Sequence, residues 1–380
     1  MSQSYKFVSL FSGIGGLDAG LHSAGFELLS CAEKDVNALS TLKLWLSRQN
    51  IECTLSRDVA ETSPEALKIK LGLKKGELDL IAGGPPCQSF SLIGKKRSLV
   101  DERGLLLFQI VRYAKAFMPK VVLIEQVKGL LSAKSLDGIK GGVFKKLIDD
   151  FKRLGYKTNH SILRAADYGV PQLRDRLFIV ATLDKKFIFP SPTHIANKES
   201  NQIDNNVFCL FLEPYKTVRD AIAGLPSPVL KGEIENFSNH IDITPARDRE
   251  RINGVPEGQC LAKQLHLPAE QRQKLNPKKD TTKFRRLAWD KPSLTIRGGE
   301  VFYHPTENRY LTPRECMRLH GFSDEHILIG PIRGRCGTVK NLDQHRLVAN
   351  AVPPSLAKIL GECIIKQVLV RKKSVLTSSL

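Results

Sequence analysis

Cys87 follows Gly83-Gly84-Pro85-Pro86 and precedes Gln88-Ser89-Phe90-Ser91, at the end of the apolar run Leu78-Asp79-Leu80-Ile81-Ala82. That pattern reads as a strand ending in a stiff turn that presents one thiol. A thiol so placed is either a nucleophile or a small buried hydrophobe. Glu125 ends a second apolar run, Val121-Val122-Leu123-Ile124. A carboxylate at the C-terminal edge of a parallel sheet sits where ligands bind. Partly desolvated, it keeps a proton near neutral pH and acts as an acid; the alternative is an exposed strand-end glutamate. Gln172-Leu173-Arg174-Asp175-Arg176 opens another strand, whose alternation puts Gln172, Arg174 and Arg176 on one face. Two guanidinium forks placed together suit a phosphate or a base carbonyl, or else pair with Asp175 and its neighbours at the surface.

A second constellation lies nearer the start. Phe11-Ser12-Gly13-Ile14-Gly15-Gly16-Leu17 follows the first strand and opens the first helix, where glycines let a ligand approach the backbone. Glu33 ends the second strand, in place to hold two ribose hydroxyls. Asp58 falls where a third strand would end, in place to accept from an adenine amino group. Loop, Glu33 and Asp58 in register point to an adenosine-containing cofactor. The loop is not the strict GxGxxG of NAD proteins, and no GxxxxGK[ST] loop for ATP is present.

These groups need elements to hold them. The first half alternates strands (6–11, 26–32, 121–124, 176–182) with helical patterns such as 17–24, which predicts an α/β fold with a parallel, doubly wound sheet. After Pro190 the chain turns polar and aperiodic, and residues 195–285 read as a second, smaller and less regular domain or a set of binding loops. Order returns with a helix over 311–321, opened by Thr312-Pro313 as N-cap and first helical residue. A last one-faced helix begins at Pro353-Pro354 and is expected to pack back on the sheet.

A length of 380 residues suggests two domains. The formal charge of +19 favours a polyanionic partner. Eight cysteines without a CxxC pair or a nearby histidine cluster argue against structural zinc and disulfides, and no metal is expected. No apolar run reaches the roughly 18 residues that span a membrane, and the N-terminus enters a strand almost at once. A cytoplasmic protein without leader or membrane association is therefore expected.

Taken in order, FSGIGGLDAGL, Glu33, Asp58, GGPPCQSFS, DERGLLLF, the Glu125 strand end, DYGVPQLRDR, RLAWDKPSLTI, RYLTPRECMRLHGFSD and NAVPP cover almost the whole chain. The chain thus resembles the DNA (cytosine-5)-methyltransferases of bacterial or phage type. PPCQ together with QxRxR is the most specific part of the match. The resemblance implies a Rossmann-like methyltransferase sheet formed by residues 1–190 and completed by 340–380, with 191–339 as a small DNA-binding domain. Target recognition would fall in about 195–285. The implied cofactor is S-adenosylmethionine, leaving S-adenosylhomocysteine. Phe11, Ile14, Gly16, Glu33, Asp58, Val59, Pro85, Leu106, Asn350 and Val352 match positions that line its pocket. Cys87 matches the nucleophile, Glu125 the acid at the ring and Arg176 a ligand of the cytosine carbonyl, with Arg174 or Arg176 as a source of positive charge for the thiolate. Residues 91–104 match a loop that closes over the DNA. Double-stranded DNA is the implied partner of a monomer, alone or beside a separately acting restriction endonuclease.

Two positions depart from the family pattern. Gln126 stands where the family has asparagine, one methylene longer in a place that positions the catalytic loop. Ala349 stands where it has glycine; that costs about 1 kcal/mol if the backbone there needs positive φ, and little otherwise. An RNA methyltransferase of the same fold is the first alternative, but the Cys-Phe-Thr signature of the tRNA-methylating relatives is absent. A silent DNA-binding protein is the second, and both Cys87 and Glu125 are retained.

Overall fold

The computed structural model describes residues 4–86, 102–135, 137–196, 212–235, 237–261, 268, 284–332 and 343–370. Cys87, 91–101 and much of 195–285 lie outside the described residues.

The strands up to residue 182 are β1 (Tyr5–Leu10), β2 (Phe26–Ala32), β3 (Thr54–Ser56), β4 (Leu80–Gly83), β5 (Val121–Gln126), β6 (Lys157–Arg164), β7 (Gln172–Leu173) and β8 (Asp175–Thr182). All but β7 build one sheet in the order β3-β2-β1-β4-β5-β8-β6. The pairs β3–β2, β2–β1, β1–β4 and β4–β5 are parallel. β8 is antiparallel to both β5 and β6, which corrects the expectation of an all-parallel sheet. The connection explains the reversal. Residues 165–174 between β6 and β8 hold one short 3₁₀ turn and β7 rather than a crossover helix, so the chain folds straight back.

β4 and β5 read as unbroken apolar runs because helices cover both faces of the sheet. Phe7, Leu80, Ala82, Val121 and Leu123 face one layer, with α1 (Gly16–Ser23), α2 (Val36–Arg48) and the helix Pro354–Ile364. Val8, Leu10, Ile81, Val122 and Ile124 face the other, with the helices Glu102–Phe117 and Gly142–Arg153. Buried on both sides, these strands fix where their last residues, and so the cavity at their ends, must lie.

A third apolar cluster joins Val218, Ile222, Leu287, Ile296 and Met317 to Ile14 of the glycine loop and to Leu347 and Val348. The helix Asp343–Asn350 therefore packs with this second body, and the chain returns to the sheet's helix layer only from Val352 onward. The helix Pro313–Leu319 starts where its sequence signals place it. Thr312 and Glu315 cap each other's backbone N–H groups, and Arg309 grips the Glu315 carboxylate with two nitrogens at 2.8 Å. Among the described residues, the stretch 343–369 contains a window long and apolar enough to cross a membrane, at mean hydropathy 1.2, yet 56% of that window is buried within the protein, as in a core helix.

Candidate active site

The glycine loop is shaped by backbone that few residues adopt. Phe11 has φ +60°, Gly13 +57° and Gly15 +85°. For a phenylalanine this is a strained conformation, held by its surroundings and characteristic of binding sites. Glu33 holds the loop from below. One carboxylate oxygen accepts the Gly13 N–H at 2.7 Å and the other accepts the Asp35 N–H at 2.7 Å. Burial pushes the Glu33 carboxyl up, opposed by those two N–H groups. Each oxygen keeps further acceptor capacity. Asp58 accepts from Lys34 Nζ at 2.6 Å and from the Ala60 N–H at 2.8 Å, and the Lys34 bond holds its carboxyl below the usual range.

These groups open on a cavity of about 850 Å³. Phe11, Ile14, Glu33, Asp58 and Val59 form one wall, with Pro85, Leu106 and Asn350 beside them. Glu125, Arg174 and Arg176 also reach it. Gly16 and Val352 do not line it. They meet each other behind it: a Cβ on Gly16 would sit 2.2 Å from the Val352 carbonyl oxygen. Gly16 is thus required by close approach of the C-terminal segment rather than by space for a ligand.

At the end of β5, Glu125 is 8% exposed, and its Oε1 lies 2.9 Å from Arg176 Nε. Burial raises the Glu125 carboxyl, while Arg176 and then Arg174 pull it down. Gly84 gives this carboxylate its room, since a Cβ there would come within 3.2 Å of Oε2. The two arginines expected to act together part company. Arg174 is buried and donates to the carbonyls of Ala349 (2.8 Å), Ala351 (3.0 Å) and Ile296 (3.4 Å). His320 grips the same Ala351 carbonyl at 2.9 Å. Gln172 turns with Arg174, accepting from the Ile296 N–H at 3.2 Å and donating to the Leu319 carbonyl at 3.3 Å. Arg174 therefore fixes the segment around Asn350 and acts on Glu125 through its charge, while Arg176 makes the short ion pair with it. The break between β7 and β8 is what separates them, since alternation holds only along a continuous strand.

Both departures from the family pattern find a physical account. Gln126 Nε2 donates to the Pro85 carbonyl at 2.6 Å, so the longer amide ties the end of β5 to the turn that leads into Cys87. Ala349 lies in the helix Asp343–Asn350 and is not among the positive-φ residues, so no glycine is needed there.

Other residues at the cavity went unread. Asp35 caps α2, accepting from the Asn37 and Ala38 N–H groups at 3.0 Å, and also receives Arg346 Nη2 at 2.9 Å. Arg346 lines the cavity with Lys34 and Arg57. An aspartate before the apolar period of α2 was a readable cap signal; Arg346 carried none. His326 donates from Nε2 to the Ile14 carbonyl at 2.7 Å and stacks on Trp45, joining the second body to the glycine loop. Burial holds its ring neutral, down to about 4.

Known proteins are similar to this chain in sequence and in fold. A family model, C-5 cytosine-specific DNA methylase, matches residues 5–366. The chain is 32% identical to the type II methyltransferase M.NgoFVII of Neisseria gonorrhoeae and 31% identical to M1.HphI of Haemophilus parahaemolyticus. Each match covers 96% of this chain and 87% of the relative. A crystal structure described as a DNA modification methyltransferase encoded within an E. coli prophage superposes with TM-score 0.68 at 22% identity, over 96% of this chain and 99% of that one.

Proposed function

The chain belongs to the C-5 cytosine-specific DNA methylase family and is a DNA cytosine-5 methyltransferase; from that premise we propose that it methylates a flipped-out cytosine in double-stranded DNA through a covalent Cys87–C6 adduct. The observation that carries this reading is the Glu125–Arg176 pair at the cavity wall, against the Gly84-Pro85-Pro86 turn that leads directly into Cys87.

C5 of cytosine is too weak a nucleophile to take a methyl group unaided. Addition of the Cys87 thiolate to C6 makes C5 an enamine carbon. Glu125, its carboxyl raised by burial, donates to N3 as charge grows there. Arg176 orients Glu125 through its Nε, donates from Nη1 to the Asp175 carbonyl at 2.9 Å, and would hold the base carbonyl with Nη2. Arg174 acts as a positioning residue through the carbonyls of Ala349 and Ala351. Bound S-adenosylmethionine supplies the electrophilic methyl group. The cavity fits such a molecule in size, and the Glu33 oxygens would hold its ribose and Asp58 its adenine beside the strained loop. Loss of the C5 proton to a base and elimination of Cys87 complete the cycle. A stacked base is out of reach, so it must leave the duplex at a few kcal/mol of stacking and pairing. The charge of +19 supports this by anchoring phosphates. Residues 191–339 are proposed as the DNA-binding domain, with about 195–285 reading the target, and the type II relatives support a role in restriction–modification.

Incubation with DNA and S-adenosylmethionine, followed by bisulfite sequencing, tests activity and target together. Protected cytosines are expected at one sequence. Protection that survives Cys87→Ala overturns the covalent mechanism, and methylation of RNA but not DNA overturns the substrate.

A further inference from the structure

Two thiols outside the proposed chemistry face each other across the sheet edge. Cys31 in β2 and Cys53, one residue before β3, have their sulfurs 3.6 Å apart, and both are free. Cys31 pairs in register with Leu55, two positions after Cys53, so the two side chains share a face. Cys31 is buried and Cys53 is partly open to solvent. We propose that Cys31 and Cys53 are a site of reversible thiol oxidation, closing to a disulfide that bridges β2 and β3 just behind Glu33 and Asp58.

Cys53 stands diagonal to Cys31 rather than opposite it, so closure draws the backbone at Cys53 toward β2 as well as the sulfurs together. A disulfide bond is about 2.05 Å long, so the sulfurs must approach by about 1.5 Å from their 3.6 Å separation. Cys53 can supply that movement, because it precedes an edge strand of three residues and is not itself in the ladder. The hydrogen bond between the sulfurs lowers the Cys53 thiol and raises that of Cys31, which makes Cys53 the first nucleophile. The co-reactant is a low-molecular-weight disulfide. The Cys53 thiolate attacks one of its sulfurs and expels one small thiolate, leaving a mixed disulfide. Cys31 then loses its proton and attacks Cys53 Sγ, expelling the second small thiolate. Two protein thiols are oxidised and one small disulfide is reduced to two thiols. β2 runs on to Glu33 and β3 toward Asp58, so the bridge would tie the two strands that carry the ribose and adenine groups of the proposed cofactor site.

The test uses the full chain in native buffer with excess oxidised glutathione, then alkylation, tryptic digestion and mass spectrometry. Lys34, Lys43 and Arg48 lie between the two cysteines, so they fall on separate peptides. The expected result is a linked Cys31–Cys53 peptide pair, a loss of two titratable thiols and full reversal by dithiothreitol. The link should form equally in Cys87→Ala and be absent from Cys53→Ser. A stable glutathione adduct on Cys53 with Cys31 still alkylatable overturns the proposal, as does retention of both thiols. The readout is a covalent bond rather than methyl transfer, so its failure leaves the proposed reaction untouched.

Discussion

Arg176 Nε stands 2.9 Å from Glu125 Oε1, with the two side chains only 15% and 11% exposed. Burial raises this carboxyl and Arg176 is the largest influence pulling it down. If Glu125 donates the proton to the ring, methylation falls as pH rises through its pKa. Arg176→Gln removes the downward pull, so that alkaline limb moves to higher pH while the rate drops. Glu125→Gln loses at least about 100-fold in rate, the lower range for a general acid. A pH–rate profile whose limb stays put in Arg176→Gln would show that the acid lies elsewhere.

Gln126→Leu leaves the Pro85 carbonyl without its donor. An unsatisfied buried acceptor costs about 1–3 kcal/mol. The change should lower kcat more than it raises KM for S-adenosylmethionine, because it loosens the turn before Cys87 and leaves the Glu33 wall intact. Gln126→Asn, one methylene shorter, is expected to fall between. Equal kcat in all three proteins would mean that the bond does not position the turn.

Asp35 and Arg346 form a bridge that is one-third exposed on each side, so its coupling should be at most about 1 kcal/mol. That corresponds to a factor of about 5 in affinity. Calorimetric binding of S-adenosylhomocysteine to Asp35→Asn, Arg346→Met and the double variant measures it. A coupling free energy of zero would reduce the bridge to a local cap of α2.

Two glycines of one loop should respond unequally to alanine. At Gly13 nothing lies within 4 Å of a new Cβ, so the cost is the left-handed backbone alone, about 1 kcal/mol. At Gly16 the Cβ would stand 2.2 Å from the Val352 carbonyl oxygen, which forces α1 away from the C-terminal segment. Overpacking of this kind costs about 1–3 kcal/mol or more. Thermal melts rank the two, and a lower Tm for Gly13→Ala than for Gly16→Ala would contradict this packing.

Asp18 on α1 is fully buried, and burial pushes its carboxyl up to about 7. An unfolded aspartate titrates near 3.9, so between about pH 4 and 7 the folded chain keeps a proton that the unfolded chain has lost. Stability from this group is complete below that window and declines by about 1.4 kcal/mol per pH unit across it. Asp18→Asn lacks the titration, so its stability relative to the parent should improve from pH 5 to pH 7.5. Urea unfolding at both pH values checks this, and a constant difference would place the Asp18 pKa in the ordinary range.

The elements and chemical groups were legible in the chain because their signals are local. β2 falls at 26–32 as read, and Thr312-Pro313 opens its helix. The apolar runs before Pro85 and Glu125 are buried strands that end at the cavity. Glu33, Asp58, Glu125 and Arg176 could be placed near strand ends because each charged residue borders a strand-like run, and all four line the cavity.

Partnership is different. Arg174 and Arg176 share a sequence pattern but not a role, because the chain breaks between β7 and β8 and carbonyls from 349 and 351 meet only the first. The Arg346–Asp35 bridge joins positions 311 residues apart. The direction of β8 depended on a connection too short for a crossover helix. Periodicity fixes which face a side chain takes within its own element. Which remote carbonyl, carboxylate or thiol waits on that face is set by the packing of elements against one another, and only the tertiary structure decided it.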